Sequence, residues 1–124
     1  MTDFSKYKIK YYKYWEVTLH ENQGHLGRCV VWCKRQEALD LTEATKEEYD
    51  ELLIIIRELK TALTRAFQPN WFNYAFLGNE TRHLHCHIIP RYSSLRVFEG
   101  ITFEDKKWGH NYLTDYSFKI SEEL

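Results

Sequence analysis

An α+β domain, with an antiparallel sheet and one long helix packed on it, is the fold class the sequence predicts. The hydrophobic period runs at two residues, switches to three and four, then returns to two. That gives the order strand, strand, helix, strand, strand. Only 5 Gly and 2 Pro punctuate 124 residues, so loops should be few and elements long. With 44% hydrophobic and 28% charged residues, the chain can pack a core as one domain over residues 1–124. Its regular part covers about residues 14–91, and 92–124 form a loop-rich tail.

Residues 1–13 carry Lys6, Lys8, Lys10 and Lys13 against the acid Asp3, interleaved with Tyr7, Tyr11 and Tyr12. They read as a solvated basic arm or an edge strand. Residues 14–20 alternate, with Trp15, Val17 and Leu19 on one face and Tyr14, Glu16, Thr18 and His20 on the other. Residues 21–24 (ENQG) have turn chemistry, and residues 28–34 (RCVVWCK) are β-branched and aromatic enough for a second strand. Cys29 and Cys33 share a face of it and read as a buried pair, and Trp15 and Trp32 read as core or helix-facing.

Tyr49, Leu52, Leu53, Ile56, Leu59, Leu63 and Phe67 then form one helical stripe. Thr45 with Glu48 is a capping-box signature, the acids crowd the helix start, and Gln68-Pro69-Asn70 stops it. The spacing predicts a helix over 46–67, with Ile54 and Ile55 beside the stripe, facing a second element or a second subunit. Residues 71–77 (WFNYAFL) are a third strand and residues 83–89 (HLHCHII) a fourth, which Pro90 should end for want of a ladder donor.

Formal net charge is -1, from 17 Lys+Arg against 18 Asp+Glu, which argues against a protein that grips nucleic acid by its backbone. A small nucleotide is still allowed. No apolar run is long enough to span a membrane, and the first residues do not look like a signal peptide. Three cysteines, Cys29, Cys33 and Cys86, read as free thiols in a reducing, cytoplasmic compartment.

His83, His85 and His87 hold half of the chain's 6 histidines within five positions. In a strand they line one face, and Leu84, Cys86 and Ile88 line the other. A row of imidazoles is poor core material, since each ring has two polar nitrogens to satisfy. Two chemistries compete for it. Imidazoles bind zinc or copper, but Cys86 points away and the neighbours Arg82 and Arg91 are cations, which oppose a divalent ion. The alternative is a site that binds and attacks a phosphate, with imidazole as nucleophile and arginine offsetting charge. His25 and His110 are lone residues that read as surface.

The run His83-Leu84-His85-Cys86-His87-Ile88-Ile89, followed by Pro90-Arg91, resembles the signature of the histidine-triad family: His, apolar, His, apolar, His, apolar, apolar. Residues 26–31 (LGRCVV) resemble the strand before that family's central helix, residues 40–42 the start of the helix, and residues 73–79 the strand and turn before the triad. Residues 103–112 resemble a subgroup of its hydrolase-like members more weakly. The resemblance covers about residues 14–91.

It implies a nucleotide-binding fold, a homodimer, and substrates with substituted α-phosphates, such as dinucleoside polyphosphates and nucleoside phosphoramidates. The motif's middle histidine, here His85, would attack the α-phosphorus and form a nucleotidyl-histidine that water hydrolyses. A nucleotidyl transferase would use the same adduct, and a slow nucleotide sensor the same pocket. His87 would contact the phosphate and leaving oxygen, and His83 would orient the others. No metal is built into the motif, which leaves room for magnesium arriving with substrate phosphates. Asn79 matches a position where relatives carry a phosphate-binding Gln, and Asn73 lies near another phosphate-site Asn. Arg91, beside the triad, is a further candidate for phosphate charge. Arg28 stands where many relatives have a fourth histidine. It can only donate and stays charged, so it is expected to point at a phosphate. The ribose contact should come from His20, Glu21 or Asn22.

Overall fold

The computed structural model describes residues 7–109. In chain order the elements are β1 (Lys8–Tyr11), β2 (Trp15–Leu19), β3 (Cys29–Cys33), a 3-10 turn (Leu41–Glu43), α1 (Lys46–Phe67), β4 (Trp71–Ala75), β5 (His85–Arg91), β6 (Arg96–Phe98) and β7 (Ile101–Phe103). The first five strands make one antiparallel sheet in the order β1-β2-β3-β5-β4. The helix therefore carries the chain from β3 across to the far edge, and β5 returns to fill the place between β3 and β4.

The helix begins where its spacing predicts. The Thr45 hydroxyl accepts from the Glu48 N–H at 3.2 Å, and the Glu48 carboxylate accepts from the Thr45 N–H at 2.8 Å. Gln68, with φ 49°, ends it in the left-handed region and donates to the Thr64 carbonyl. One sheet face is apolar: Trp15 and Val17, Cys29, Val31 and Cys33, Phe72, and Cys86 and Ile88 are all buried against Leu52, Ile55 and Leu63 of α1. The Trp15 indole N–H reaches the helix itself, donating to the Glu48 carbonyl at 2.9 Å. Gly27, with φ +89°, lies under the helix end; a Cβ there would come within 3.0 Å of Leu63 and 3.1 Å of Phe67.

Four expectations need correction. Ile55 is core and Leu53 is exposed, because the sheet takes the line through Leu52, Ile55, Leu59 and Leu63. Leu53 sits about 100° round from Leu52. Trp32 does not face the helix; it shares the parity of Val30 and lies on the opposite sheet face, level with His85. The strand does not stop at Pro90. Pairing with β3 ends at Cys29 and Ile88, so Pro90 has only Phe72 of β4 beside it, and a missing N–H is tolerated there. The same strand starts at His85, leaving His83 in the preceding bend.

The tail also holds structure that periodicity did not show. β6 and β7 form a hairpin closed by Glu99 and Gly100, both at positive φ (50° and 75°), as a two-residue turn matching the strand twist requires. Residues 1–6 and 110–124, including His110, lie outside the described residues.

Candidate active site

The polar sheet face is assembled by register. Trp32 stands opposite His85 and Val30 opposite His87 across β3 and β5, while Thr18 stands opposite Val30 across β2 and β3. The Trp32 ring stacks on His85, with centroids 4.6 Å apart and planes 21° apart, and continues toward His83 at 6.4 Å. Its indole N–H donates to the Thr18 hydroxyl at 3.0 Å, which fixes the ring. His85 and His87 meet edge to face at 5.0 Å, and His20 lies 5.8 Å beyond His87. A pocket of about 450 Å³ opens over His85 and His87. Its walls come from Thr18 to Glu21, from Arg28 and Val30, and from the loop Leu77 to Thr81.

Hydrogen-bond partners assign the protons. A carbonyl can only accept, so each ring nitrogen facing one must carry hydrogen. His83 Nε2 donates to the Cys33 carbonyl at 2.6 Å. His85 Nδ1 donates to the His83 carbonyl at 2.5 Å, so the neutral ring keeps its lone pair on Nε2. Arginine can only donate, so Arg28 Nη2, 3.1 Å from His87 Nδ1, makes that nitrogen the acceptor and leaves the proton on Nε2. Burial, then the Arg28 guanidinium, then His85 and His20, push the His87 pKa down to about 4. His87 is thus a neutral ring that donates through Nε2 at neutral pH. Burial, then Arg28, lowers His20 as well.

The sequence-predicted residues fall into two groups. His85, His87, Arg28, Asn79 and His20 line one pocket, with Asn79 exposed on the loop. His20 Nδ1 accepts the Asn22 N–H at 2.9 Å, which sets the ring by its own turn. Arg28 contacts His87 and so closes the imidazole network at that end. His83 sits beyond Trp32, supporting His85 through its carbonyl. Arg91 and Asn73 are elsewhere. Arg91 is buried, with Nε donating to Asp105 at 2.6 Å and Nη1 donating to Asn73 Oδ1 at 2.6 Å, so Arg91 ties the 105–107 segment to β5 and is braced by Asn73 of β4. Neither lines the triad pocket. His25 is half-buried beside Asp105 and not a surface residue.

Trp32 and Thr18 are site residues that sequence reasoning missed. Parity held the signal: in residues 28–34, Trp32 shares a face with Arg28 and Val30 and not with the cysteines. Among the described residues, no group of three or more His, Cys, Asp or Glu could hold a metal ion.

No curated protein matches the sequence significantly. Solved structures share the fold. A HIT family protein from Bacillus anthracis is 24% identical with a TM-score of 0.63, covering 69% of this chain and 64% of that one. A hypothetical histidine triad nucleotide-binding protein from Sulfolobus tokodaii is 19% identical with a TM-score of 0.64, over 81% and 73%. A histidine triad protein from Sinorhizobium meliloti is 18% identical with a TM-score of 0.69, over 98% and 83%. The chain thus spans less than two thirds of the Bacillus protein's length. The HIT domain model matches residues 12–94, which hold β2 to β5, the helix and the three histidines, and the chain belongs to the HIT, or histidine-triad, family.

Proposed function

We propose that this protein is a nucleotide-binding hydrolase that cleaves the α-phosphate linkage of dinucleoside polyphosphates or related substituted nucleotides. The observation that carries the reading is the bond from His85 Nδ1 to the His83 carbonyl, which leaves a nucleophilic lone pair on Nε2 of a ring that lines the pocket. In the first step Nε2 attacks the α-phosphorus, the N–P bond forms, and the bond to the leaving oxygen breaks. The His87 Nε2–H donates a hydrogen bond to that oxygen, which leaves as a phosphate anion carrying the electron pair. Water then attacks the phosphorus of the adduct, the N–P bond breaks with its electron pair returning to His85 Nε2, and the nucleoside monophosphate leaves while the proton of water goes to solvent. Arg28 and the loop around Asn79 are the candidate charge stabilisers, and magnesium arriving with the phosphates would neutralise charge on the substrate.

His85→Asn tests this reading. Turnover of diadenosine tetraphosphate should fall by about 10³-fold or more, while AMP still binds. In the parent, mass spectrometry of quenched reactions should find a nucleotidyl adduct on His85. Turnover of the variant at the parent rate would overturn the assignment. An acceptor other than water would make the same adduct a transferase intermediate, and product analysis separates the two. A slow nucleotide sensor is the second reading. It is favoured by the burial of His85, only 5% exposed beneath Trp32, and would show as an adduct burst followed by almost no turnover. We further propose a homodimer acting in a reducing compartment such as the cytoplasm. The three cysteines, Cys29, Cys33 and Cys86, are buried free thiols, as a reducing compartment would keep them.

A further inference from the structure

A second cavity, of about 480 Å³, shares a wall with the triad pocket: Arg28 and Leu77 line both. Its other charged walls are Arg91, Lys106 and Lys107 with Glu104 and Asp105. Arg91 and Asp105 neutralise each other in a buried pair, at 2.6 and 3.1 Å. What is left is cationic, with Arg28, Lys106 and Lys107 against Glu104. Among the described residues, two buried side-chain polar atoms have no hydrogen-bond partner, Arg28 Nε and His25 Nδ1. Both residues line this cavity. The His25 nitrogen is 3.7 Å from Asp105 Oδ2, beyond hydrogen-bond reach. Buried polar groups without partners are costly, and both belong to residues that line a cavity with surplus positive charge.

The geometry points to a subsite for the leaving arm of the substrate: we propose that a polyphosphate chain crosses Arg28 from the triad pocket and ends on Lys106 and Lys107. This rests on the reading of His85 as nucleophile and deepens it. When the bond to the α-phosphorus breaks, the leaving phosphate takes the electron pair and accepts a hydrogen bond from the His87 Nε2–H, and its negative charge lies along the cationic wall. The substrate class it selects is a nucleotide whose leaving group is itself a phosphate chain, over phosphoramidates that release a neutral amine. Arg91 has a positioning role, since it holds the Lys107 carbonyl at 2.6 Å and so fixes the segment that carries both lysines.

The double variant Lys106→Gln/Lys107→Gln tests the subsite. Both side chains are exposed, and the 105–107 segment is anchored by the Asp105 carboxylate and by backbone groups of Lys107, so its attachment survives. Two readouts are compared. By calorimetry, affinity for inorganic tripolyphosphate should fall about tenfold, with AMP affinity unchanged to within about twofold. By kinetics, kcat/KM for diadenosine tetraphosphate should fall about tenfold, with that for adenosine 5′-phosphoramidate unchanged. Unchanged tripolyphosphate affinity, or equal losses on both substrates, overturns the subsite. If the parent cleaves neither substrate, the hydrolase reading fails. The tripolyphosphate affinities then decide the subsite alone: a loss upholds an anion site and no loss removes it.

Discussion

A single backbone carbonyl decides which nitrogen of His85 can react, and a single guanidinium does the same for His87. Those two assignments carry the proposed chemistry, because swapping either tautomer would leave no lone pair or no N–H donor where that chemistry needs it. Arg28 also has an electrostatic effect: its charge disfavours a second positive charge on His87. Replacing it by Gln removes that effect but not burial, which is the larger cause. The His87 pKa, about 4 in the parent, should therefore rise by about one unit and stay below the ordinary imidazole value in Arg28→Gln. Imidazole NMR titration checks this, and any acid limb of activity that reports His87 should move to higher pH with it. An unmoved titration would show that Arg28 does not set the charge state of His87. The clustering of three histidines was legible in the sequence, as was the place of His85 and His87 on a strand face opposite Cys86 and Ile88. The target of Arg28 was not. A long flexible side chain chooses among groups brought near by the register of β3 on β5, and no spacing rule encodes that choice.

At the scale of the element, α1 shows how one residue can serve several ends. Glu48 caps the helix through Thr45 and sits buried against the sheet. It takes Arg35 Nε at 3.2 Å and Nη2 at 3.1 Å, and accepts from the Cys33 thiol at 3.3 Å. Arg35 is the chief reason its carboxyl titrates at about 2 against the usual 4.5, overcoming the burial that opposes ionisation. The folded-state value is depressed, so the unfolded chain binds more protons between those two pH values. The stabilisation is whole above about pH 4.5 and is lost as pH falls toward about 2. The full span is worth about 3 kcal/mol. Glu48→Gln should cost about 2–3 kcal/mol at neutral pH. Its denaturant midpoint should then vary less with pH between about 4.5 and 2 than the parent's; an equally steep decline would mean other carboxylates drive acid unfolding. The cap was readable from Thr45 and Glu48, and the helix bounds followed from it. The salt bridge was not, because Arg35 reaches Glu48 through the turn after β3. The helix face was misjudged by one position for a related reason: hydrophobicity alone ranks Leu53 with Ile55, and only the sheet beneath distinguishes them.

Across the whole molecule, the sheet separates two tasks. One face is closed by α1, and the other carries the imidazoles, Arg28 and Trp32 to solvent. Order in the sheet brings this about, since β5 lies between β3 and β4 and so pairs the triad with the strand that carries Trp32. The alternation of each strand was legible, but the insertion of β5 was not, because pairing partners distant in sequence leave no local periodicity. Among the described residues, the helix and the sheet edge each leave apolar side chains uncovered. On the helix, Leu53 and Ile54 are 54% and 52% exposed, although aliphatic neighbours on a core helix gain little by facing water. At the sheet edge, β4 has no partner on its outer side among the described residues, and Trp71 is 67% exposed on it. An open edge with an exposed indole invites pairing with another chain, and a second copy presents the same surfaces in matching form. Light scattering of the parent should therefore report about twice the 15.1 kDa chain mass. Leu53→Lys/Ile54→Lys should shift it toward one chain mass without loss of helical circular dichroism, since both side chains lie outside the packed face. A parent that scatters as a single chain would sink the dimer. A variant that stays dimeric would move the interface off the helix and onto the edge of β4, where Trp71→Lys makes the corresponding test.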